Sequence, residues 1–353
     1  MGNKFKDIYS QAFGYIGHLL KPSFLSSRNS SISLDMGSMY VKAISLEENN
    51  QEWEITGFSC IKVDSNLKDT VKKAILKLPV KQKELAMSLS GHNLVLRYVT
   101  MPIMSQEEVV KSMTFELEKY IPFNKEEINF DFNILTKNKT TGKMSVLIAA
   151  AKKDLINKKI GLCSELGYRP KFIDVCPLAI ANFFEYSRIP KEKEVCTIVN
   201  LGASISSVDV FEEGQLVLSR DIYVGGNDFT KKIAGTINKE FNAAEEIKLN
   251  SLTEDLMQSL EPIYSNLIKE LKVSFDFYET QSNRAIDKIL ITGGTAYLKG
   301  MQDSLKQSLG QDVEMISFDK DKFKLNSSLN VQEFEKDFNL YTTALGVAIR
   351  DFK

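Results

Sequence analysis

Two short stretches of the sequence share an arrangement that could bind phosphate groups. The first reads LDMGS at residues 34–38 and the second reads VNLGAS at residues 199–204, so an Asp or Asn precedes a glycine in each. Because glycine has no side chain, the backbone N–H groups of such a turn can face a ligand directly. N–H groups presented in this way bind phosphate oxygens. Two such turns that face each other would clamp a polyphosphate from both sides.

Polar side chains beside the two turns extend this chemistry. Lys42 lies on the strand after the first turn and would add a positive charge for the phosphates. Asp35 in the first turn and Asn200 in the second could hold waters around Mg²⁺, an ion that usually keeps several waters at phosphate sites. Asn200 is also a residue type that turns select for local hydrogen bonding, and the sequence leaves this alternative open.

Three further segments could complete a nucleotide site. The stretch VGGNDFT places Gly225 and Gly226 directly before a predicted helix, whose N-terminus favours an anion. The stretch ILITGGTAYLKG places Gly293 after a strand, in a turn on whose bare backbone a flat base could lie. In AAEEIKLN, Glu245 and Lys248 stand three apart on one helix face. These two side chains could bind ribose hydroxyls, or they could form an ion pair with each other.

The elements that must position these residues also repeat. Each phosphate-type turn opens a hairpin of alternating apolar and polar residues, VKAISLEENNQEWEI in one case and SVDVFEEGQLVLS in the other. Helical segments alternate with such strands, and a length of 353 residues suggests about two domains. The sequence therefore predicts an α/β protein of two similar halves, residues 31–190 and 191–353, with helical segments filling residues 228–283 of the second half.

The first half contains further local signals. The stretch ELAMSLSGHNLVLRYVTMP predicts two paired strands that turn at Gly91. The stretch SQEEVVKSMTFELEKYIPF predicts a helix that begins with a capping box, in which Ser105 and Glu108 each bond the other's backbone N–H group.

Residues 1–30 are predicted to form an amphipathic helix followed by a linker. Apolar residues recur at helical spacing over residues 4–20, and the segment carries a small excess of basic residues. Such a helix could pack on its own domain or on a partner, or it could lie on a membrane surface.

Composition narrows the class of protein. With 43% apolar residues, 26% charged residues and a net charge of −1, the chain is typical of a globular protein with no general attraction to nucleic acid. Its four cysteines are scattered, which favours reduced thiols in a cytosol, and two histidines make a His-based metal centre or a Ser-His-Asp triad improbable. No apolar run is long enough to span a membrane and no secretory signal is evident, so we expect a cytoplasmic protein.

In order and spacing, these loops resemble the actin-like ATPase superfamily, and within it the PilM family of type IV pilus assembly proteins. The stretches that carry the resemblance to PilM proteins are RYVTMPIMSQEEVVKSMTFELEKYIPF, INFDFNIL, FIDVCPLAIANFF, VGGNDFTKKIA and TTALGVAIR. The resemblance implies an actin-like ATPase fold with two α/β halves around a nucleotide cleft. It also implies a small inserted subdomain of the FtsA and PilM type, at about residues 93–165.

The resemblance further implies ATP and Mg²⁺ as ligands and assigns residues to them. The nucleotide-binding residues it implies are Gly37, Ser38, Lys42, Gly202, Ala203, Ser204, Gly293, Gly294 and Thr295, and the residue pattern adds Gly225, Gly226, Glu245 and Lys248. The metal residues it implies, acting through water, are Asp35 and Asn200. The superfamily usually has Asp at the second of these positions, and the position of actin's water-orienting Gln falls near Cys176. Both departures predict weak hydrolysis, because the metal and its positioned groups carry most of phosphoryl-transfer catalysis. A site that no longer binds nucleotide is the alternative.

For partners, the resemblance implies a scaffold at the cytoplasmic side of the inner membrane. PilM-type proteins bind the cytoplasmic N-terminal tail of PilN in a groove beside the inserted subdomain, and through PilN they contact PilO. The candidate groove residues here are Tyr120, Ile121, Pro122 and Phe123. Two alternatives stay open: an FtsA-like protein that self-associates into filaments, and, with less support, a small-molecule kinase of the same superfamily.

Overall fold

The computed structural model describes residues 30–49, 52–64, 66–79, 82–187 and 194–352. The predicted N-terminal helix and linker therefore lie outside the described residues, apart from Ser30. The described strands are β1 (Ser30–Met36), β2 (Tyr40–Asn49), β3 (Glu52–Lys62), β4 (Glu84–Leu89), β5 (Leu94–Pro102), β6 (Ile128–Asn138), β7 (Lys143–Lys152), β8 (Arg169–Val175), β9 (Val195–Leu201), β10 (Ser206–Glu212), β11 (Gln215–Ile222), β12 (Lys288–Thr292), β13 (Val313–Met315) and β14 (Phe323–Leu325).

Helices alternate with these strands over most of the described chain. They are α1 (Leu67–Leu76), α2 (Gln106–Glu116), α3 (Lys153–Glu165), α4 (Cys176–Ser187), α5 (Gly226–Ile237), α6 (Phe241–Asn250), α7 (Glu254–Ser259), α8 (Glu261–Ser282), α9 (Met301–Leu309), α10 (Val331–Lys336) and α11 (Thr342–Arg350). No helix in the described ranges is both long and apolar enough to cross a membrane.

The first phosphate-type hairpin lies in a six-stranded sheet of order β14-β3-β2-β1-β4-β8. Strands β1 and β2 are antiparallel, and β1, β4 and β8 run parallel to one another. Helices α4 and α11 cross on this sheet so closely that a Cβ atom on Gly346 would lie 1.7 Å from the Ala179 carbonyl oxygen. The glycine thus permits backbone contact between the two helices.

The second hairpin lies in a five-stranded sheet of order β11-β10-β9-β12-β13. Its register repeats that of the first: Asn200 pairs with Ser207 where Asp35 pairs with Lys42. A separate hydrophobic cluster under this sheet includes Phe229 and Leu271 from helices α5 and α8. The repetition of the hairpin predicted from the sequence is confirmed.

A third sheet, of order β5-β7-β6, is formed by strands that lie between β4 and β8 in the sequence. Along β7, Val146 and Ile148 face a cluster shared with α2, whereas Leu147 and Ala149 face the core of the six-stranded sheet. The capping box at the start of α2 is confirmed, since Ser105 N donates to Glu108 Oε2 at 2.7 Å and Glu108 N donates to Ser105 Oγ at 3.3 Å.

The predicted pairing of two strands across Gly91 is wrong. Both strands exist, but β4 pairs with β1 and β8 while β5 pairs with β7. Gly91 has φ of +124°, a region open mainly to glycine, and the chain leaves one sheet for another there. Alternation in a sequence indicates which side chains share a face, and it does not indicate which strand is the neighbour.

Candidate functional site

A cleft of about 520 Å³ lies between the six-stranded and five-stranded sheets. Both phosphate-type turns line it, as does the turn at Gly293. The predicted site residues that line the cleft are Asp35, Gly37, Ser38, Lys42, Asn200, Gly202, Ala203, Ser204, Gly293 and Gly294. The fold therefore brings together residues from distant parts of the sequence, and the remaining predicted nucleotide-binding residues lie behind this lining.

The first turn holds a compact charged cluster. Lys42 Nζ lies 2.6 Å from Asp35 Oδ2, and Ser88 Oγ donates to Asp35 Oδ1 at 2.6 Å. The two charged residues are directly opposed across β1 and β2, so the strand register itself sets this contact. Burial alone would raise the pKa of Asp35, but the charge and hydrogen bonds of Lys42 and Ser88 outweigh it and lower the pKa. Asp35 therefore stays ionised and Lys42 stays protonated.

Lys159 is a second cation in this cleft, and the sequence did not single it out. Helix α3 places its ammonium group over the ends of β1 and β4, where Nζ donates to Ser88 O at 3.2 Å and to Met36 O at 3.5 Å. Burial lowers the pKa of Lys159, although the nearby charge of Asp35 acts in the opposite direction. Two adjacent lysines in the middle of a helix usually indicate a solvated face, so the sequence held no clear signal for this position.

The second turn is built from neutral groups. Asn200 Nδ2 donates to Cys176 Sγ at 3.5 Å, and Cys176 Sγ lies 3.5 Å from Thr343 Oγ1. Burial raises the pKa of the Cys176 thiol far above its ordinary value, so the thiol stays neutral. A neutral thiol at this place is a poor group for orienting an attacking water.

Glycines in the second half serve the packing of loops against one another. A Cβ atom on Gly202 would lie 2.3 Å from the Ile205 carbonyl oxygen, and one on Gly225 would lie 2.6 Å from the Ala203 carbonyl oxygen. Gly293 has φ of +89°, and a Cβ atom there would lie 2.5 Å from the Leu201 carbonyl oxygen. The predicted phosphate and base turns therefore form one tightly packed unit, whatever ligand they contact.

Hydroxyl groups connect the two turns across the cleft. Ser204 Oγ donates to Ser38 Oγ at 2.8 Å, and Asn227 Nδ2 donates to Ser204 Oγ at 2.9 Å. The Gly37 N–H group donates to Tyr40 O at 3.0 Å within the first turn, so that predicted phosphate donor is engaged by the turn itself.

The predicted ribose pair is buried behind the cleft. Lys248 Nζ lies 2.7 Å from Glu245 Oε2, and it also donates to Gly226 O at 3.1 Å and to Thr230 Oγ1 at 2.9 Å. Thr295 Oγ1 donates to Gly202 O at 2.8 Å. These contacts tie helix α6 and the turn after β12 to the glycine turns. The first function of these side chains is thus structural, and ribose contact stays a prediction.

The residues at the cleft fit Mg²⁺ poorly. Both oxygens of Asp35 are engaged by Lys42 and Ser88, and Asn200 brings no charge. Within the described ranges, no group of three or more His, Cys, Asp or Glu side chains is arranged to hold a metal ion. Mg²⁺ prefers carboxylates that supplement its waters and the oxygens of a phosphate. Asp35, neutralised by Lys42, and Asp221, whose pKa burial raises to about 6, are a weak donor set for that purpose.

The predicted partner residues lie at the end of α2 and have different environments. The Ile121 side chain is buried in the cluster under the third sheet, so it cannot contact a partner. Pro122 is exposed, Tyr120 and Phe123 are half-buried, and the Lys152 ammonium lies 5.4 Å from the centre of the Phe123 ring.

A second groove, of about 660 Å³, separates the edge strands β5 and β11. It is lined on one side by residues 94–98 of the third sheet and on the other by residues 217–221. Helix α8 adds Val273 and Phe277, of which Phe277 is 50% exposed, and Tyr223 at the rim is 61% exposed. The sequence did not predict this groove, because its two walls come from separate sheets.

Comparison with known proteins identifies this architecture. The family model of the type IV pilus assembly protein PilM matches residues 33–352. The chain is also similar to the cell division protein FtsA of Staphylococcus epidermidis, with 22% identity over 177 residues. That similarity covers 41% of this chain and 38% of FtsA, so the chain spans about two fifths of the length of this curated relative.

Solved structures with the same fold include two that extend over most of the chain. One is a PilM–PilN type IV pilus biogenesis complex, with a TM-score of 0.83 and 22% identity over 92% of this chain and 98% of that one. The other is MreB5 of Spiroplasma citri bound to AMPPNP, with a TM-score of 0.50 and 11% identity over 91% of this chain and 95% of that one. The predicted α/β fold of the actin-like ATPases is confirmed.

Proposed function

Since the chain belongs to the PilM family of type IV pilus assembly proteins, we propose that it is a nucleotide-binding scaffold of a type IV pilus or related secretion machine. The observation that carries this proposal is the match of the PilM family model over residues 33–352. In this role the protein acts on the cytoplasmic side and peripheral to the inner membrane. It binds the N-terminal tail of PilN and, through PilN, connects to PilO.

The proposed nucleotide is ATP, bound in the cleft between the two hairpins. A volume of about 520 Å³ is within the usual range for small-molecule sites. Lys42 supplies positive charge at the first turn, and the tightly packed glycine turns of the second half offer backbone to the ligand. The Ser38 and Ser204 hydroxyls, which now contact each other, become donors to phosphate oxygens when a nucleotide separates them.

The proposed enzyme activity is weak or absent hydrolysis. The cleft combines a neutral thiol at Cys176, an amide at Asn200 and a carboxylate at Asp35 that is already paired with Lys42. These groups neither order a metal nor activate a water, which are the contributions that phosphoryl transfer requires. Substitution of Asn200 by Asp restores a negative charge there and is expected to increase Mg²⁺-dependent hydrolysis. A variant that hydrolyses no faster than the wild type would contradict this explanation.

The proposed site for the PilN tail is the groove between β5 and β11. Both walls are edge strands, whose backbone groups can pair with an extended peptide, and exposed Phe277 and Tyr223 can receive apolar side chains. The groove is formed partly by the third sheet, in agreement with the expectation of a groove beside the inserted subdomain. Tyr120, Pro122 and Phe123 form the second candidate surface for the same peptide.

Two binding measurements test this function. Saturable binding of a fluorescent ATP analogue that is lost in Lys42→Ala supports the nucleotide cleft, while a folded protein that binds none would contradict it. Calorimetry with a synthetic PilN tail tests the partner. The Phe277→Glu variant should lose binding and Phe115→Glu, at a phenylalanine 83% exposed on α2, should retain it. The opposite result would move the site to the surface around Tyr120.

Sedimentation with ATP tests the alternative of an FtsA-like filament. Pelleting that depends on protein concentration would favour that function over a scaffold that stays dispersed. The similarity to FtsA, which covers 38% of that protein, is the observation behind this alternative.

A further inference from the structure

Lys159 is a half-buried cation that forms no ion pair with a carboxylate among the residues that the structure describes. Its ammonium group donates to the carbonyl oxygens of Ser88 and Met36 at 3.2 and 3.5 Å. Within the residues that the structure describes, these two oxygens are its hydrogen-bond partners and neither belongs to a carboxylate. A lysine in such a place loses part of its hydration, and the carboxylate that acts on it, Asp35, is already paired with Lys42, so an anion bound beside it would stabilise its charge.

The charges around the first turn do not balance. Asp35 and Lys42 neutralise each other at 2.6 Å, and Asn200 across the cleft is uncharged. Lys159 therefore leaves one positive charge at the inner end of the cleft. The other carboxylate of the lining, Asp221, belongs to β11 in the second half of the chain, and burial raises its pKa to about 6.

The position of Lys159 is suited to the terminal phosphates of a nucleotide. Its ammonium and the Lys42–Asp35 pair both lie at the ends of parallel strands β1 and β4, next to the first glycine turn. Ligands of α/β proteins bind at this edge of the sheet, beyond the carboxyl ends of the strands. A polyphosphate held between the two turns would bring its outer oxygens to both lysines.

Resting on the nucleotide-binding function proposed above, we infer that Lys159 is a phosphate-binding residue that supplies charge neutralisation usually provided by a divalent ion. A nucleoside triphosphate thus binds to this chain with Lys42 and Lys159 at its terminal phosphates, and its binding does not require Mg²⁺. This follows from the groups around the two turns, where Asp35 is neutralised by Lys42 and faces the amide of Asn200, while the Lys159 ammonium bonds only carbonyl oxygens among the described residues. A half-buried ammonium group whose hydrogen-bond partners are two neutral carbonyl oxygens gains stability from an anionic ligand beside it.

Titration of the full-length chain with a fluorescent ATP analogue tests this inference. The measurement is made on wild type, Lys159→Met and Lys158→Met, each in Mg²⁺ and in EDTA, with unfolding curves to verify that the variants fold. Lys158 is the matched control because it is an exposed lysine next to Lys159 on the same helix. We expect wild-type affinity to change by less than about threefold on chelation of Mg²⁺. Lys159→Met should weaken binding roughly ten- to a hundredfold, the usual effect of a charge-assisted hydrogen bond, and Lys158→Met should not.

Competition with ATP, ADP and AMP locates the phosphate that Lys159 contacts. The loss in Lys159→Met should be largest for ATP and smallest for AMP. Wild-type binding that disappears in EDTA would overturn the inference, as would equal affinities of the Lys159 and Lys158 variants. Both results would leave nucleotide binding intact. A wild-type chain that binds nucleotide in neither buffer would instead overturn the proposed nucleotide function, and this inference with it.

Discussion

The two phosphate-type hairpins have the same strand register, but the paired side chains at their turns are charged in the first hairpin and neutral in the second. In the first, Asp35 faces Lys42 across the strands and their side chains form an ion pair of 2.6 Å. In the second, the equivalent positions hold Asn200 and Ser207, and no charge faces the cleft from this pair. The buried carboxylate of the second hairpin is Asp209, two residues further along β10.

The difference indicates that the two hairpins have separate roles, one in supplying charge and the other in packing. The first hairpin carries the charged groups, and a Cβ atom at its glycine would come no closer than 3.0 Å to its neighbours. The second hairpin packs tightly against neighbouring loops. Its glycine lies against the Ile205 carbonyl, and its loop accepts hydrogen bonds from Thr295 and Gly226. A duplicated element can thus keep its shape in both copies while only one copy keeps the charges.

The largest expected difference between the hairpins concerns their glycines. Gly202→Ala should destabilise the protein by about 4 kcal/mol or prevent folding, because its Cβ atom would lie 2.3 Å from a backbone oxygen. Gly37→Ala should cost only about 1 kcal/mol, since its nearest contacts are at 3.0 Å and one of them is the flexible end of Lys42. Urea unfolding of both variants measures this. Equal costs would refute the distinction between a packed and an open turn.

The buried carboxylate of the second hairpin should make stability depend on pH. Burial raises the pKa of Asp209 from 3.8 to about 7, against the hydrogen bonds that Ser219 and Ser207 donate to it. Because the folded state holds this proton more tightly, the contribution of Asp209 to stability is lost as the pH rises from about 4 to about 7.

The Asp209→Asn variant isolates this effect. Its stability relative to wild type should rise with pH by on the order of 1 kcal/mol per unit across that window and level off above it. Unfolding measured at several pH values gives the difference between the two curves. A difference that does not vary with pH would show that Asp209 titrates normally.

Removal of the lysine of the first hairpin should have a moderate effect. Lys42→Ala leaves Asp35 buried with a hydrogen bond from Ser88 but without its ion pair, at an expected cost of about 2 kcal/mol. The matched substitution in the second hairpin, Ser207→Ala, should cost about 1 kcal/mol, the typical value of one hydrogen bond, here to Asp209. Chemical denaturation checks both. If Lys42→Ala with Asp35→Asn is no more stable than Lys42→Ala alone, the ion pair is not the source of the cost.

The smallest effect belongs to the contact between the hairpins. Ser38→Ala and Ser204→Ala each remove the 2.8 Å bond across the cleft, and both residues are at the surface, so each should cost about 0.5 kcal/mol or less. The double variant should cost no more than the larger single effect, because the two hydroxyls share one bond. Additive costs in a double-mutant cycle would contradict this.

Much of the fold was predictable because local signals agree with tertiary structure. The alternation after Gly37 and Gly202 predicted both hairpins, and Ser105 with Glu108 predicted the start of α2. The pairing of β4 was not predictable, since the alternation on either side of Gly91 fits several strand neighbours equally well. Which sheet a strand joins is decided by packing between residues that are far apart in the sequence.

The parts of the candidate site that belong to a recognisable motif were predictable from the sequence, and the other parts were not. Asp35, Lys42 and the glycine turns do meet at one cleft. The position of Lys159 in the cleft was not predictable, because a lysine in the middle of a charged helix is usually exposed to solvent. Glu245 and Lys248 were identified as a pair on one helix face, but only the structure shows that this face is turned inward.

The segment that connects β4 to β5 links the nucleotide cleft to the second groove. Residues 90–92 line the cleft, and Leu94 already belongs to the third sheet and to the wall of the second groove. The His92 ring also stacks on Tyr223 at the rim of that groove, with 4.6 Å between ring centres. A ligand that displaces these residues moves the groove wall with them. Thermodynamic reciprocity then applies: any factor by which a nucleotide alters the affinity for a peptide is the factor by which the peptide alters the affinity for the nucleotide.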